Sequence, residues 1–156
     1  MQWTVPELLV LILAAALVVA AVGDIRSRTI PNWLNLAIAL GAIPFWYWSG
    51  LDLWPDVAWR IAIAAIVFAV FAGAFALGMM GGGDVKLVAA IALWLPPAAV
   101  LPLLVVMSLA GGALTLLMAV RHRLARRKEP LEIPYGVAIA FGGLWLIGER
   151  FLNQFG

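Results

Sequence analysis

Apolar runs separated by short charged patches set the pattern of this chain. Leu8 to Gly23 and Ile61 to Gly83 contain no charged residue, and Leu87 to Val120 adds 34 more uncharged positions. A helix needs about 20 apolar residues to cross roughly 30 Å of hydrocarbon, fewer where its ends are buried in protein. Val5–Gly23, Asn32–Trp48, Val57–Leu77 and Ile133–Ile147 are candidate spans on that basis. The 34-residue run from Leu87 to Val120 would make about 51 Å of helix, too long for one crossing. Pro96-Pro97 divides it, because proline is tolerated only in the first turn of a new helix. The pattern predicts an all-α polytopic membrane protein with six transmembrane helices.

The fourth of these is short. Asp84 to Leu95 is 12 residues, about 18 Å of helix, so one of its ends must lie below the membrane surface. Irregular backbone at that depth survives only where protein or a wet cavity surrounds it. The glycine run Gly81–Gly83 is therefore expected to belong to a recessed, hydrated site.

Composition agrees. Of 156 residues 65% are hydrophobic and 12% charged, with a mean hydropathy of +1.07. One soluble core of this size could not hide so much apolar surface, so the lipid bilayer is the expected solvent. The absence of cysteine excludes disulfides, thiolate zinc sites and a cysteine nucleophile. No repeat or low-complexity linker is evident, and residues 1–156 are read as a single integral-membrane domain. Met1 to Thr4 lacks the basic region of a cleaved signal, so the first span is expected to be retained.

Charge orients the spans. The loops after the first, third and fifth hold Arg26, Arg28, Lys86, Arg121, Arg123, Arg126, Arg127 and Lys128, eight of the ten basic residues. Positive-inside bias puts these loops in the cytoplasm and both termini outside, which leaves Arg60 and Arg150 as charges on the outer side. The cluster Arg121 to Lys128 is explained by that bias, and no nucleic-acid partner is inferred from it. Trp46, Tyr47, Trp48, Trp54 and Trp59 are expected to anchor the outer interface, and Gly111-Gly112 and Gly142-Gly143 to permit close helix packing.

Asp24 and Asp84 both fall on the basic side, each closing an uncharged run. A carboxylate at the edge of a hydrocarbon span is costly and marks function by default. Two carboxyl groups close together hold one proton between them. The ionised member can take a proton from water as it attacks an amide carbonyl, while the protonated member polarises that carbonyl. Gly81 to Gly83, lacking Cβ atoms, would let backbone bend sharply before Asp84 and approach a bound strand. Blander readings stand beside these. Asp24 alone could be a boundary residue beside Arg26 and Arg28, and the glycines a flexible turn. No GK[ST] follows them to make a phosphate loop. Lys86 could neutralise a carboxylate or meet lipid headgroups, and His122 among arginines reads as a solvated residue. No metal site and no cofactor is inferred.

Three segments in order resemble the type IV prepilin peptidases, membrane aspartic proteases with a GxGD motif. They are Asp24-Ile25-Arg26-Ser27-Arg28-Thr29-Ile30-Pro31-Asn32, Gly81-Gly82-Gly83-Asp84 continued by Val85-Lys86, and Pro134-Tyr135-Gly136-Val137-Ala138-Ile139-Ala140. The resemblance implies Asp24 and Asp84 as the catalytic pair; Gly81, Gly83, Lys86 and Asn32, near it, are read as substrate or loop support. It further implies prepilin or pilin-like substrates, whose short basic leader is cut at the cytoplasmic face, in a multi-pass protein of the bacterial inner membrane. Longer members carry an extra N-terminal cytoplasmic domain, often with paired CxxC motifs, and are associated with N-methylation. This chain lacks that insertion and is similar to the short form found with tight-adherence pilus systems; no residue argues for methyl transfer. The competing readings are a proton-coupled transporter, a presenilin-like intramembrane protease and a non-catalytic assembly factor. The oligomeric state is not encoded in any feature of the sequence.

Overall fold

A computed structural model describes residues 3–124 and 133–155. Six α-helices form: α1 Val5–Ser27, α2 Asn32–Trp48, α3 Ala58–Ala76, α4 Gly82–Ala92, α5 Pro97–Leu124 and α6 Tyr135–Phe155, with a π-helical turn Leu53–Val57 leading into α3. The elements stand where the apolar runs predict them, and α2 has the predicted bounds. Arg126, Arg127 and Lys128 of the basic loop lie outside the described residues. Among those residues, three helical stretches are long and apolar enough to cross a membrane: Val5–Ser27, Leu53–Ala76 and Pro97–Leu124. The shorter elements are α2, with 17 residues, and α4, with 11.

Lipid-facing character is plain in the surface. Ile12, Val19, Val70, Leu101, Leu109 and Leu116 are all more than half exposed, as expected of helices whose outer faces meet hydrocarbon. The core runs through Leu17, Leu87, Val88, Ile91, Leu103 and Ile139, each almost fully buried. Helix α4 sits at the centre, packed by α2, α3 and α6, while α6 also packs on α1 and α5. Gly142 and Gly143 make this crowding feasible. A Cβ on Gly142 would lie 3.2 Å from Met107 of α5, and one on Gly143 would lie 2.8 Å from Leu17 of α1. Small residues let helices approach in this way where no hydrophobic driving force separates protein from lipid.

The central helix is too short to reach both surfaces, and its C-terminal end shows how that is accommodated. A helix terminus leaves backbone carbonyls without partners, which is costly at membrane depth. Here Arg60 Nη1 donates to Trp94 O at 2.8 Å and Trp46 Nε1 donates to Leu93 O at 2.9 Å. Trp94 Nε1 in turn donates to Ile38 O at 2.8 Å, tying the end of α4 to α2. The cation also complements the helix dipole. Trp46 thus differs from the expectation of an interfacial anchor: its indole caps a helix. Tyr47, Trp48, Trp54 and Trp59 remain exposed, as an aromatic belt requires. Arg60, buried with Nε left without a partner, is more than a charge on the outer side.

Replacing this cap tests its role. Arg60→Met leaves the Trp94 carbonyl buried and unpaired, which is expected to cost about 1–3 kcal/mol, read as a lower unfolding midpoint in detergent. Trp59→Phe, at an exposed position, should leave the midpoint unchanged. An Arg60→Met protein as stable as the parent would mean that burying the guanidinium costs as much as its hydrogen bond returns.

Candidate active site

Helix α1 continues one turn past Gly23, to Ser27, so Asp24 lies inside the helix and not beyond its end. The chain leaves α1 through Arg28, in the left-handed region at φ 54°, whose N–H donates to Asp24 O at 3.0 Å. It then runs extended through Pro31 into α2. This return places Ile30, buried at 7% exposure, against the first turns of both α4 and α6. A Cβ on Gly83 would lie 3.2 Å from Ile30 Cβ, and one on Gly136 would lie 2.7 Å from Ile30 Cδ1 and 2.8 Å from Asp24 Oδ2. The Ile30 side chain is therefore a wedge held between two glycines, and Gly136 gives the Asp24 carboxylate its room.

The expected bend is displaced along the sequence. The turn after α3 is made by Gly78, at φ 72°, with Met79 N–H donating to Ala74 O and Gly78 N–H to Phe75 O, both at 2.9 Å. This is a Schellman ending, which favours glycine because it needs a left-handed residue. Gly81 caps α4 in an extended conformation, and Gly82 and Gly83 form its first turn. The space beside Gly83 is taken by the chain's own Ile30 segment, so the glycines serve packing within the protein rather than a sharp bend before Asp84.

Asp84 occupies the third position of α4, where its Oδ2 accepts from Gly81 N–H at 3.3 Å. A carboxylate there complements the unpaired N–H groups and dipole of the helix start. Asp24 meets a second helix start. The backbone N–H groups of Gly136 and Val137, in the first turn of α6, face its carboxyl group, although Oδ2 is fully buried and completes no well-formed hydrogen bond. Both aspartates are buried, at 5% and 8% exposure, and their charges act on each other. Arg28 is the cation whose charge bears on Asp24.

The other predicted residues fall into a different group. Lys86 Nζ donates to Asn32 Oδ1 at 2.7 Å on the exposed seam between α2 and α4. Lys86 therefore joins Asn32 and neutralises neither carboxylate. One contributor escapes sequence reasoning. Asn35, one turn into α2 and buried, donates from Nδ2 to Gly83 O at 3.1 Å, fixing the start of α4 from the side. A buried amide in an otherwise apolar helix is the signal that could have marked it. The steric role of Gly136 arises from Ile30 and Asp24, both more than 100 positions away in the chain, and has no local signature. Among the described residues, no three His, Asp or Glu side chains gather as a metal would require.

Crowding at Gly136 yields a direct test. Gly136→Ala is expected to cost about 1–3 kcal/mol of stability through overpacking, against the modest gain alanine brings to a helix, read as a lower unfolding midpoint in detergent. Gly148→Ala, where a Cβ meets nothing within 4 Å, should be neutral or stabilising. Equal midpoints for Gly136→Ala and the parent would contradict the steric account.

Comparison with known proteins adds one finding. No curated protein and no solved structure matches the chain. The model of the type IV leader peptidase family matches residues 11–116, a stretch that includes both aspartates, the Ile30 return and the glycine-rich start of α4. With more than half of its length matched, the chain belongs to the type IV leader peptidase family.

Proposed function

We propose that this protein is a membrane aspartic endopeptidase that removes the short basic leader of prepilin or pilin-like proteins at the cytoplasmic face, with Asp24 and Asp84 as its catalytic pair. The observation that carries the reading is that two buried carboxyl groups, one from the end of α1 and one from the start of α4, flank the same Ile30 wedge, which abuts Gly83 beside Asp84 and Gly136 against Asp24. Membership of a peptidase family supplies the reaction class.

Chemistry follows from the pair. Two carboxyl groups in one buried site are accommodated most cheaply with a single proton between them. The ionised member accepts a proton from a water molecule as that water attacks the scissile carbonyl, and the protonated member donates to the carbonyl oxygen. Collapse of the tetrahedral intermediate breaks the C–N bond, and a proton passes to the leaving nitrogen. The leader departs with a new carboxylate, and the mature chain keeps a free amine. Acid and base belong to the pair and not to individual residues. The start of α4 holds the Asp84 carboxyl group through the Gly81 N–H and the start of α6 faces that of Asp24, an arrangement that supplies part of the preorganisation such a step requires.

Topology enters on the same terms. Six spans with both termini outside place Arg26, Arg28, Lys86, Arg121 and Arg123 on the cytoplasmic side of a bacterial inner membrane together with the two aspartates. The substrate's apolar helix would partition into the bilayer while its basic leader stays in the cytoplasm. Lys86 and Asn32, bridged on the outer face of α4, support the local fold.

Co-expression with a pilin-like substrate tests this reading by leader removal on a gel. Asp24→Asn and Asp84→Asn, at matched membrane levels, are each expected to lower the rate by roughly 10²–10⁴, the usual contribution of acid–base catalysis. Lys86→Ala should retain most activity. Cleavage at the parental rate by either Asn variant would sink the paired mechanism.

A further inference from the structure

We propose that the gap between α3 and α5 is the docking groove for the apolar helix of the substrate, so that substrate approaches the aspartates sideways from the bilayer. This rests on the peptidase reading above and adds where the substrate sits. Helices α3 and α5 barely touch. Between them lies a groove of about 540 Å3 walled by Phe71 and Ala74 of α3 and by α5 from Met107 to Ala119, with Tyr135, Ala138 and Ile139 of α6 among its lining residues.

The rim connects this groove to the candidate active site. Met79 and Met80 line it, immediately before Gly81, whose N–H is bonded by Asp84. Tyr135 lines it as well, immediately before Gly136, which abuts Asp24. A bond about to be cut at the aspartates would therefore continue directly into the groove. A second groove, of about 460 Å3 between α2 and α3, lies along the face of α4 that carries Lys86, Ala89 and Leu93, and includes neither aspartate.

The lining selects the form of the occupant. An extended strand would need partners for its backbone, and the groove offers few: Thr115 already donates to Gly111 O at 2.7 Å. A helix satisfies its own backbone. From Met107 to Ala119 the wall is about 18 Å long, three turns of a facing helix. The volume over that length gives a cross-section of roughly 30 Å2, enough for the ridge of side chains on one face of a helix about 10 Å across. Small residues permit close approach, and methionines adapt to varied side chains. Gly112 is the informative member: a Cβ there would meet nothing within 4 Å, so this glycine, unlike Gly142 and Gly143, packs against no other helix and leaves space unfilled.

Two measurements on the full-length protein in membranes test the groove. Gly112→Leu projects a side chain into it from a position where Cβ meets nothing within 4 Å and is expected to raise KM for a pilin-like substrate roughly tenfold or more, with kcat little changed, as loss of well-packed apolar contact does. The natural chain has no cysteine, so single cysteines at Gly112 and Leu116 can carry a photoreactive maleimide, with Ala89→Cys marking the second groove. Adducts to the substrate helix from Gly112→Cys and Leu116→Cys, and none from Ala89→Cys, are expected. Normal cleavage with adducts only to phospholipid, or to substrate only from Ala89→Cys, would overturn the docking groove while sparing the peptidase reading. An unchanged KM for Gly112→Leu would also overturn it. Failure of the unsubstituted protein to cleave would overturn the peptidase reading, and the groove with it.

Discussion

A helix of 11 residues packed at the centre of an apolar bundle cannot bring both its ends to bulk water, and backbone groups at an end short of water need partners inside the protein. The rest of this structure can be understood from that requirement. At the C-terminal end of α4 the solution is structural: Arg60 and Trp46 reach in with donors, and Trp94 ties the cap to α2. At the N-terminal end the solution is Asp84, accepting from Gly81, with Asn35 holding the Gly83 carbonyl from the side. The groups that satisfy a buried helix start include the very carboxylate proposed to do chemistry.

The second carboxylate arrives by the same logic. Asp24 comes from the last turn of a long helix, faces the first N–H groups of α6, and is brought there by the short return through Ile30. Two helix starts and one helix end thus meet around two acidic side chains. Ile30 packs between the two helix starts, filling the room that Gly83 and Gly136 leave. Substitutions there would act on chemistry through geometry, without touching a substrate.

Much of this was legible in the sequence, for identifiable reasons. Apolar runs and Pro96-Pro97 located the helices because length in hydrocarbon is a one-dimensional constraint. The two aspartates were conspicuous because charge at a span's edge is costly. What stayed hidden depended on contacts between distant segments. Nothing local distinguishes Gly78, which makes the turn, from the three glycines that follow at Gly81 to Gly83. Arg60 looked like an outer-side charge because its partner, the Trp94 carbonyl, is 34 positions away. Trp46 looked like its exposed neighbours for the same reason. The bond between Lys86 and Asn32 on an exposed seam joins positions 54 apart, a pairing that no local pattern announces.

The central claim is that Asp24 and Asp84 share one site, and the absence of cysteine allows it to be measured directly. Asp24→Cys and Asp84→Cys would be combined in the full-length protein, a protease site placed in the loop between α2 and α3, and the membranes treated with the shortest bifunctional methanethiosulfonate. If the two carboxyl groups share one site, the two fragments stay joined in the double variant, come apart on reduction, and never join in either single variant. Fragments that separate freely while both cysteines react with a monofunctional reagent would place the two carboxyl groups in different sites and contradict the account.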